Sequence, residues 1–306
     1  RKPAPDTRIA TPDPSATPAA LATSLPLTSG NRAETNFIDN IEKDNSGNVW
    51  FASGEGGLSR MLGSSGAQDA PTHWRNWGNH NDLSEPYPFA GNEPMYSMYH
   101  HPDGTIYMGG NGVGQWDPQT GSFANFWNWQ NASLGVDSFV DIERDGNGDL
   151  WIASDYTGIY RLNTQTNDWE QHLFGAAFST SNYVNDMERD LDGNLWVVTD
   201  IALHFFDGTN WFAITVFHGS PVEQPTCIEV HPDGSVWIGA SNGLIRYHNA
   251  EWTIYDSSNS PMPTDHVQGM DIRDDGVIGF SAIEFGPVTP FPNGVVLFDP
   301  AGERGA

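Results

Sequence analysis

The chain has 306 residues, a formal net charge of −26 and a single cysteine, Cys227. This charge argues against binding to nucleic acid or to anionic membrane surfaces, because acidic side chains repel phosphates, whereas it suits cations or a basic partner. One cysteine excludes an intrachain disulfide. Because cysteine is among the most buried residue types, we expect Cys227 to be a buried side chain and not a nucleophile.

The N-terminal segment is rich in Pro, Ala and Thr and nearly free of large apolar side chains. This composition predicts an extended linker tail at residues 1–19. The chain opens on Arg1 and not on a methionine, so we expect that a leader segment preceded it.

A string with a central glycine recurs along the rest of the chain. Its six copies are "DNSGNVWFAS" from Asp44, "HPDGTIYMGG" from His101, "DGNGDLWIAS" from Asp145, "DLDGNLWVVT" from Asp190, "HPDGSVWIGA" from His231 and "RDDGVIGFSA" from Arg273. The aligned glycines are 57, 44, 45, 41 and 42 residues apart. Periods of this size are typical of solenoids and propellers.

Each repeat contains short β-rich runs and no helical periodicity. An apolar anchor precedes the turn, a tryptophan or tyrosine follows it in five copies, a second run follows, and an aromatic outer run completes five units. Four short strands in each unit of this length predict an antiparallel blade. The sequence therefore predicts an all-β fold, a six-bladed β-propeller that spans residues 20–306 as one domain.

The sixth unit ends soon after "GVVLFDP" and has no aromatic outer run. A strand borrowed from the N-terminus would protect its edge. The stretch "ALATSLPL" at residues 20–27 places Leu21, Leu25 and Leu27 at odd positions, as in a strand with one buried face. We expect this stretch to pair with residues 294–299 as the closing strand.

The string from Asp145 has oxygen-bearing side chains at alternate positions, Asp145, Asn147 and Asp149, as calcium loops do. The full helix-loop-helix calcium pattern is not met, because Leu150 and Tyr156 stand where it requires glycine and glutamate. A hairpin turn explains the glycine in all six copies. We expect a turn, and calcium at these three residues is the alternative.

Acidic residues recur on the first strand of five units: Glu42, Glu143, Glu188, Glu229 and Asp271. First strands line the central channel of a propeller, so these acids would form a partial ring that attracts a cation. In the alternative, each acid pairs with a turn amide or with an arginine such as Arg144, which follows Glu143.

Two insertions interrupt the repeats, and propeller topology places both on the same face. They carry the aromatic residues Tyr87, Phe89, Phe285 and Phe291 beside several prolines. We expect these aromatics to form a rim that binds a sugar or a protein loop, the alternative being local packing over the channel mouth. His266 lies in the loop before the sixth unit and joins the predicted ligand-binding residues.

The repeats resemble the two-component regulator propeller family. "DLDGNLWVVT" and "HPDGSVWIGASNGLIRY" are similar to that family's repeat, and the resemblance covers residues 37–300. It implies an extracytoplasmic location, as in bacterial hybrid kinases and secreted proteins. The chain has about half of the usual blade number and no kinase region. The virginiamycin B lyase propellers look like more distant relatives.

From these features we expect a binding or scaffolding module, secreted, periplasmic or surface-anchored, that recognises a protein or carbohydrate through one loop-rich face. No catalytic residue and no cofactor other than calcium is predicted, nor is membrane insertion. The alternatives are a lyase or hydrolase at the channel mouth and a structural subunit of an extracellular assembly. Three or more polar side chains with perturbed pKa values at that mouth would favour the enzyme.

Overall fold

The computed structural model describes the chain from Ile38 to Pro300 with several gaps. The described residues are 38–53, 57–63, 74–77, 95–128, 130–132, 134–135, 138–163, 166, 168–175, 182–214, 216–217, 220–221, 224–260, 262–273, 275–282 and 294–300. The predicted tail at residues 1–19 and the predicted closing strand at residues 20–27 lie outside them. Within the described ranges, no helix is long and apolar enough to cross a membrane.

The described backbone forms 25 β-strands. The first twelve are β1 (Asn40–Lys43), β2 (Val49–Ser53), β3 (Gly57–Met61), β4 (Trp74–Trp77), β5 (Met95–His100), β6 (Ile106–Gly110), β7 (Val113–Asp117), β8 (Ser122–Trp127), β9 (Phe139–Arg144), β10 (Leu150–Ser154), β11 (Gly158–Asn163) and β12 (Asp168–His172). The others are β13 (Val184–Arg189), β14 (Leu195–Thr199), β15 (Ala202–Phe206), β16 (Trp211–Ile214), β17 (Val216–Phe217), β18 (Ser220–Pro221), β19 (Pro225–Val230), β20 (Val236–Ala240), β21 (Gly243–His248), β22 (Glu251–Tyr255), β23 (Val267–Ile272), β24 (Ile278–Ala282) and β25 (Gly294–Phe298).

Consecutive strands pair antiparallel into six main sheets. Five sheets have four strands in chain order, namely β1–β4, β5–β8, β9–β12, β13–β16 and β19–β22, while the sixth has the three described strands β23–β25. The first strands of successive sheets pack on one another in the order β1, β5, β9, β13, β19 and β23. The fold is an all-β, six-bladed propeller, as the sequence predicts. We number the sheets blade 1 to blade 6 in chain order.

The repeated glycine strings form the turns between the first and second strands of the blades. In blade 3 the backbone N–H of Gly148 donates to the carbonyl oxygen of Asp145 at 3.0 Å. Gly148 has a φ of 93°, in the left-handed region where a side chain would be strained. The predicted turn is therefore present, and glycine is required where the chain reverses.

The tryptophans of the second strands are the centres of packing between blades. Trp151 of blade 3, fully buried, packs with Met187 and Val197 of blade 4. Trp50, Trp196 and Trp237 are likewise at most 2% exposed. The predicted apolar anchors lie opposite them, because alternate residues of a strand point to opposite faces. Each blade is thus held by the tryptophan side of the blade before it.

Cys227 lies in such an interface, between blades 5 and 6. Its side chain is 6% exposed and belongs to a cluster with Trp237 and Val267. The predicted burial of the single cysteine is confirmed.

Candidate functional site

A cavity of about 400 Å³ lies where the first strands of blades 1 to 5 meet. Three of the predicted ring acids, Glu143, Glu188 and Glu229, line it together with Glu42. Each of these acids is the cross-strand partner of the tryptophan in its own blade, as Glu143 is of Trp151. The repeat register therefore brings the acids of four blades to one place.

Two further carboxyl groups, which the sequence interpretation missed, line the same cavity. Asp141 and Asp186 stand two residues before Glu143 and Glu188 on β9 and β13. Residues two apart on a strand share a face, so the D-x-E spacing was the signal available in the sequence. Near the start of each strand the register shifts by one residue, which marks a β-bulge just before these aspartates.

Asp186 connects two blades through its carboxylate. Its Oδ1 accepts a hydrogen bond from the backbone N–H of Met187 at 2.9 Å, and its Oδ2 accepts one from Ile228 of blade 5 at 2.8 Å. Asp141 Oδ1 accepts from the N–H of Ile142 at 2.7 Å. Its Oδ2 is buried and has no hydrogen-bond partner in the described part of the chain.

Asp141 and Asp186 influence each other's protonation. Burial, and then the negative charge of Asp186, raise the pKa of Asp141 well above its usual range. Burial also raises the pKa of Asp186. Two neighbouring buried carboxyl groups that cannot both ionise share a proton. The pair therefore provides a protonated and an ionised carboxyl group side by side.

The glutamates beyond this pair are shifted in the same direction. Burial raises the pKa of Glu143 to about 7 and that of Glu229 to about 7. Burial, followed by the charges of Glu143 and Glu229, raises the pKa of Glu188 to about 10. The cavity therefore holds several like charges at a site that water solvates poorly, and it disfavours their full ionisation.

Arginine does not neutralise these acids in the way that the alternative interpretation required. The guanidinium of Arg144 turns away from Glu143, because its Nε donates to the carbonyl oxygen of Gly148 at 2.8 Å and its Nη1 contacts Nε2 of His101. None of the ion pairs found among the described residues includes a cavity acid. The site can therefore accept a positive charge from outside.

The three candidate calcium residues are occupied by hydrogen bonds within the turn. Asp145 Oδ1 accepts from the backbone N–H groups of Asn147 and Asp149, and Asp149 Oδ2 pairs with Arg161. The side-chain amide of Asn147 donates to the carbonyl oxygen of Gly208 at 3.3 Å. Among the described residues, no group of three His, Cys, Asp or Glu is arranged to hold a metal ion. Calcium binding at this turn stays a prediction.

The predicted aromatic rim cannot be located in the same way. Tyr87, Phe89, Phe285 and Phe291 lie outside the described residues, so their role in ligand binding stays a prediction. His266 is half-buried in the connection before β23, and its backbone N–H donates to Oγ1 of Thr264 at 3.3 Å.

Solved structures share this fold at low sequence identity. The extracellular domain of a putative hybrid two component system from B. thetaiotaomicron has a TM-score of 0.60 and 14% identity, over 83% of this chain and 33% of that one. Catalytically inactive virginiamycin B lyase from Staphylococcus aureus with quinupristin has a TM-score of 0.60 and 15% identity, over 83% and 79%. PorZ, a surface component of the type-IX secretion system of Porphyromonas gingivalis, has a TM-score of 0.58 and 16% identity, over 85% and 38%.

The chain folds as these propellers do. Extracellular domains of hybrid two component systems, which the sequence resemblance indicates, are thus among its structural relatives. The chain spans only about a third of the length of the first of them. No family model matches the chain, and no curated protein is similar to it.

Proposed function

We propose that this chain is an extracytoplasmic binding propeller that receives a basic side chain of a protein partner in its central cavity. One observation carries the proposal: carboxyl groups from several blades face one cavity, and the ion pairs of the described residues leave them out. A lysine or arginine entering the cavity would stabilise the ionised carboxylates that burial now disfavours.

The position of the acids supports binding at the loop-rich face. Asp141 and Asp186 are near the beginning of β9 and β13, where the loops between blades lead into the channel. The predicted rim residues belong to loops on this face of a propeller. A partner held by the rim would therefore be within reach of the cavity, and rim and cavity together would form one interaction surface.

The extracytoplasmic location is supported by the relatives. The solved structures that share the fold include extracellular domains and a bacterial surface component. The acidic composition supports a basic partner, because opposite charges accelerate association and select against acidic surfaces.

Binding of a fluorescent tetra-arginine peptide tests the charge requirement of the cavity. The variant with Glu143→Gln, Glu188→Gln and Glu229→Gln removes three cavity acids. The matched control removes three exposed acids of the outer strands, with Asp168→Asn, Glu170→Gln and Glu251→Gln. We expect the cavity variant to lose at least about tenfold in affinity, or about 1.4 kcal/mol, and the control to lose little. Equal losses would show that only the overall charge attracts the peptide, and would contradict the proposal.

A second candidate function, a lyase or hydrolase, is favoured by the Asp141–Asp186 pair. A protonated carboxylic acid beside an ionised one supplies both a general acid and a general base. Quinupristin is a suitable first substrate, because the related lyase structure contains it. Ring opening detected by chromatography, and lost in Asp186→Asn, would support catalysis. The absence of any product with the intact protein would exclude this substrate.

A further inference from the structure

The outer edge of blade 6 is open in the described part of the chain. β25 pairs with β24 along one edge, whereas the third strand of each other blade also pairs with a fourth. An unpaired edge presents a row of free N–H and C=O groups, which templates the addition of a strand.

The side chains at this edge also differ from those of the other blades. In blade 5, Arg246 is the cross-strand partner of Trp237 and its guanidinium lies 5.5 Å from the ring centroid. In blade 6 the equivalent pair is Leu297 and Gly279. With glycine in place of the tryptophan, Leu297 is 66% exposed.

Blade 1 shows the complementary defect on the face that turns towards blade 6. Its anchor Ile41 is 58% exposed. The equivalent anchors of blades 2 to 5 are at most 3% exposed, namely Met98, Ile142, Met187 and Ile228. Blade 1 therefore lacks, among the described residues, the apolar cover that a preceding blade gives to the others.

We propose that residues 20–27 dock on β25 as the outer strand of blade 6. The spacing between outer strands and the next anchor carries this inference. In blades 2, 3 and 5 the outer strand ends 15 residues before that anchor, as Trp127 before Ile142, His172 before Met187 and Tyr255 before Met270. The same distance before Ile41 is residue 26, inside the proposed strand.

The pairing of the other outer strands also defines a register. In blades 3 and 5 the residue 18 positions before the next anchor pairs near the end of the third strand, as Trp169 does with Leu162 and Trp252 with Tyr247. By this rule Thr23 pairs with Phe298 and Ser24 with Leu297. Leu21 and Leu25 then share the face of Phe298, which packs against blade 5. From this strand the chain leads to β1, so it ties blade 6 to blade 1.

Disulfide trapping in the full chain tests the register and does not depend on the proposed function. Ser24→Cys with Leu297→Cys places two thiols at paired positions, and Ser15→Cys with Leu297→Cys is the matched control outside the strand. Cys227 is buried and leaves the assay unaffected. We expect an intramolecular disulfide in the first variant, at a rate at least about tenfold above the control, because a paired strand holds the thiols close.

Other outcomes would overturn the proposal. A disulfide-linked dimer would show that a second copy supplies the strand, and equal rates in both variants would show that the edge is free or belongs to another partner. Truncation gives an independent measurement. Deleting residues 1–28 should lower the Tm by about 5 °C or more, while deleting residues 1–15 should leave it unchanged. Equal Tm values for both truncations would also contradict the docking.

Discussion

The indole N–H of Trp151 donates a hydrogen bond of 3.0 Å to Oδ2 of Asp145, six residues earlier in the chain. The other oxygen of Asp145 accepts the backbone N–H groups that shape the turn. The same bond, at 2.9 Å, joins Trp50 to Asp44 and Trp196 to Asp190. One carboxylate therefore fixes the turn and also orients the tryptophan that packs against the next blade.

Replacing Asp145 by alanine should lower the free energy of unfolding by about 2 to 4 kcal/mol. Asp145 is 2% exposed, so its loss leaves two backbone N–H groups and the Trp151 indole without an acceptor. Urea denaturation measures the change. Asp192→Ala, at an exposed position of the equivalent turn in blade 4, is the control and should cost less than about 0.5 kcal/mol.

Calcium should leave the Tm nearly unchanged. Three N–H donors already occupy the Asp145 carboxylate, and the ion would have to displace them. Thermal unfolding in calcium and in chelator measures the effect. A saturable rise of the Tm with calcium would instead establish the alternative site at Asp145, Asn147 and Asp149, since a ligand of the folded state must stabilise it.

Replacing the rim aromatics by alanine should weaken partner binding more than it lowers stability. The four positions are Tyr87, Phe89, Phe285 and Phe291, which we expect to contact the partner. Pull-down from the native cell surface and thermal unfolding measure the two effects. If the rings pack over the channel mouth instead, the order would reverse, with a stability loss of about 3 to 5 kcal/mol for each buried ring.

The cavity acids should make the protein more stable at pH 6.5 than at pH 8. Burial raises the pKa of Glu143 and Glu229 to about 7, from an ordinary value of 4.5. Between pH 8 and 6.5 the folded state therefore takes up protons that the unfolded chain does not, so stability rises as the pH falls. Further down, His204 opposes the trend, because burial lowers its pKa to about 4.

The Tm measured across this pH range checks the sign. The variant with glutamine at residues 143, 188 and 229 should have a flatter profile, because it lacks the groups that titrate differently in the two states. A profile as steep as that of the unchanged protein would place the effect elsewhere.

The blade architecture could be predicted because it depends on local patterns. The period of two along each strand identified Ile142 as an anchor and Trp151 as its counterpart on the opposite face, and the glycine at Gly148 located the turn. The outer strand of blade 6 is different, since its partner is distant in sequence and no local pattern specifies that pairing.

The candidate site could be predicted only in part. The repeat identified Glu143 and Glu188, yet the approach of Asp141 to Asp186 depends on how neighbouring blades pack, which the sequence does not display. The expected pairing of Arg144 with Glu143 was wrong for a simple reason. Adjacent residues of a strand point to opposite faces, so proximity in sequence separates these two side chains in space.

The burial of Cys227 gives the molecule an internal clock. Burial raises the pKa of its thiol to about 12, and the side chain packs with Val267 of the next blade. A thiol reagent reaches the Sγ atom only when blades 5 and 6 separate. Because Cys227 is the single thiol of the chain, its labelling rate under native conditions would time the opening of one interface while the rest of the ring stays folded.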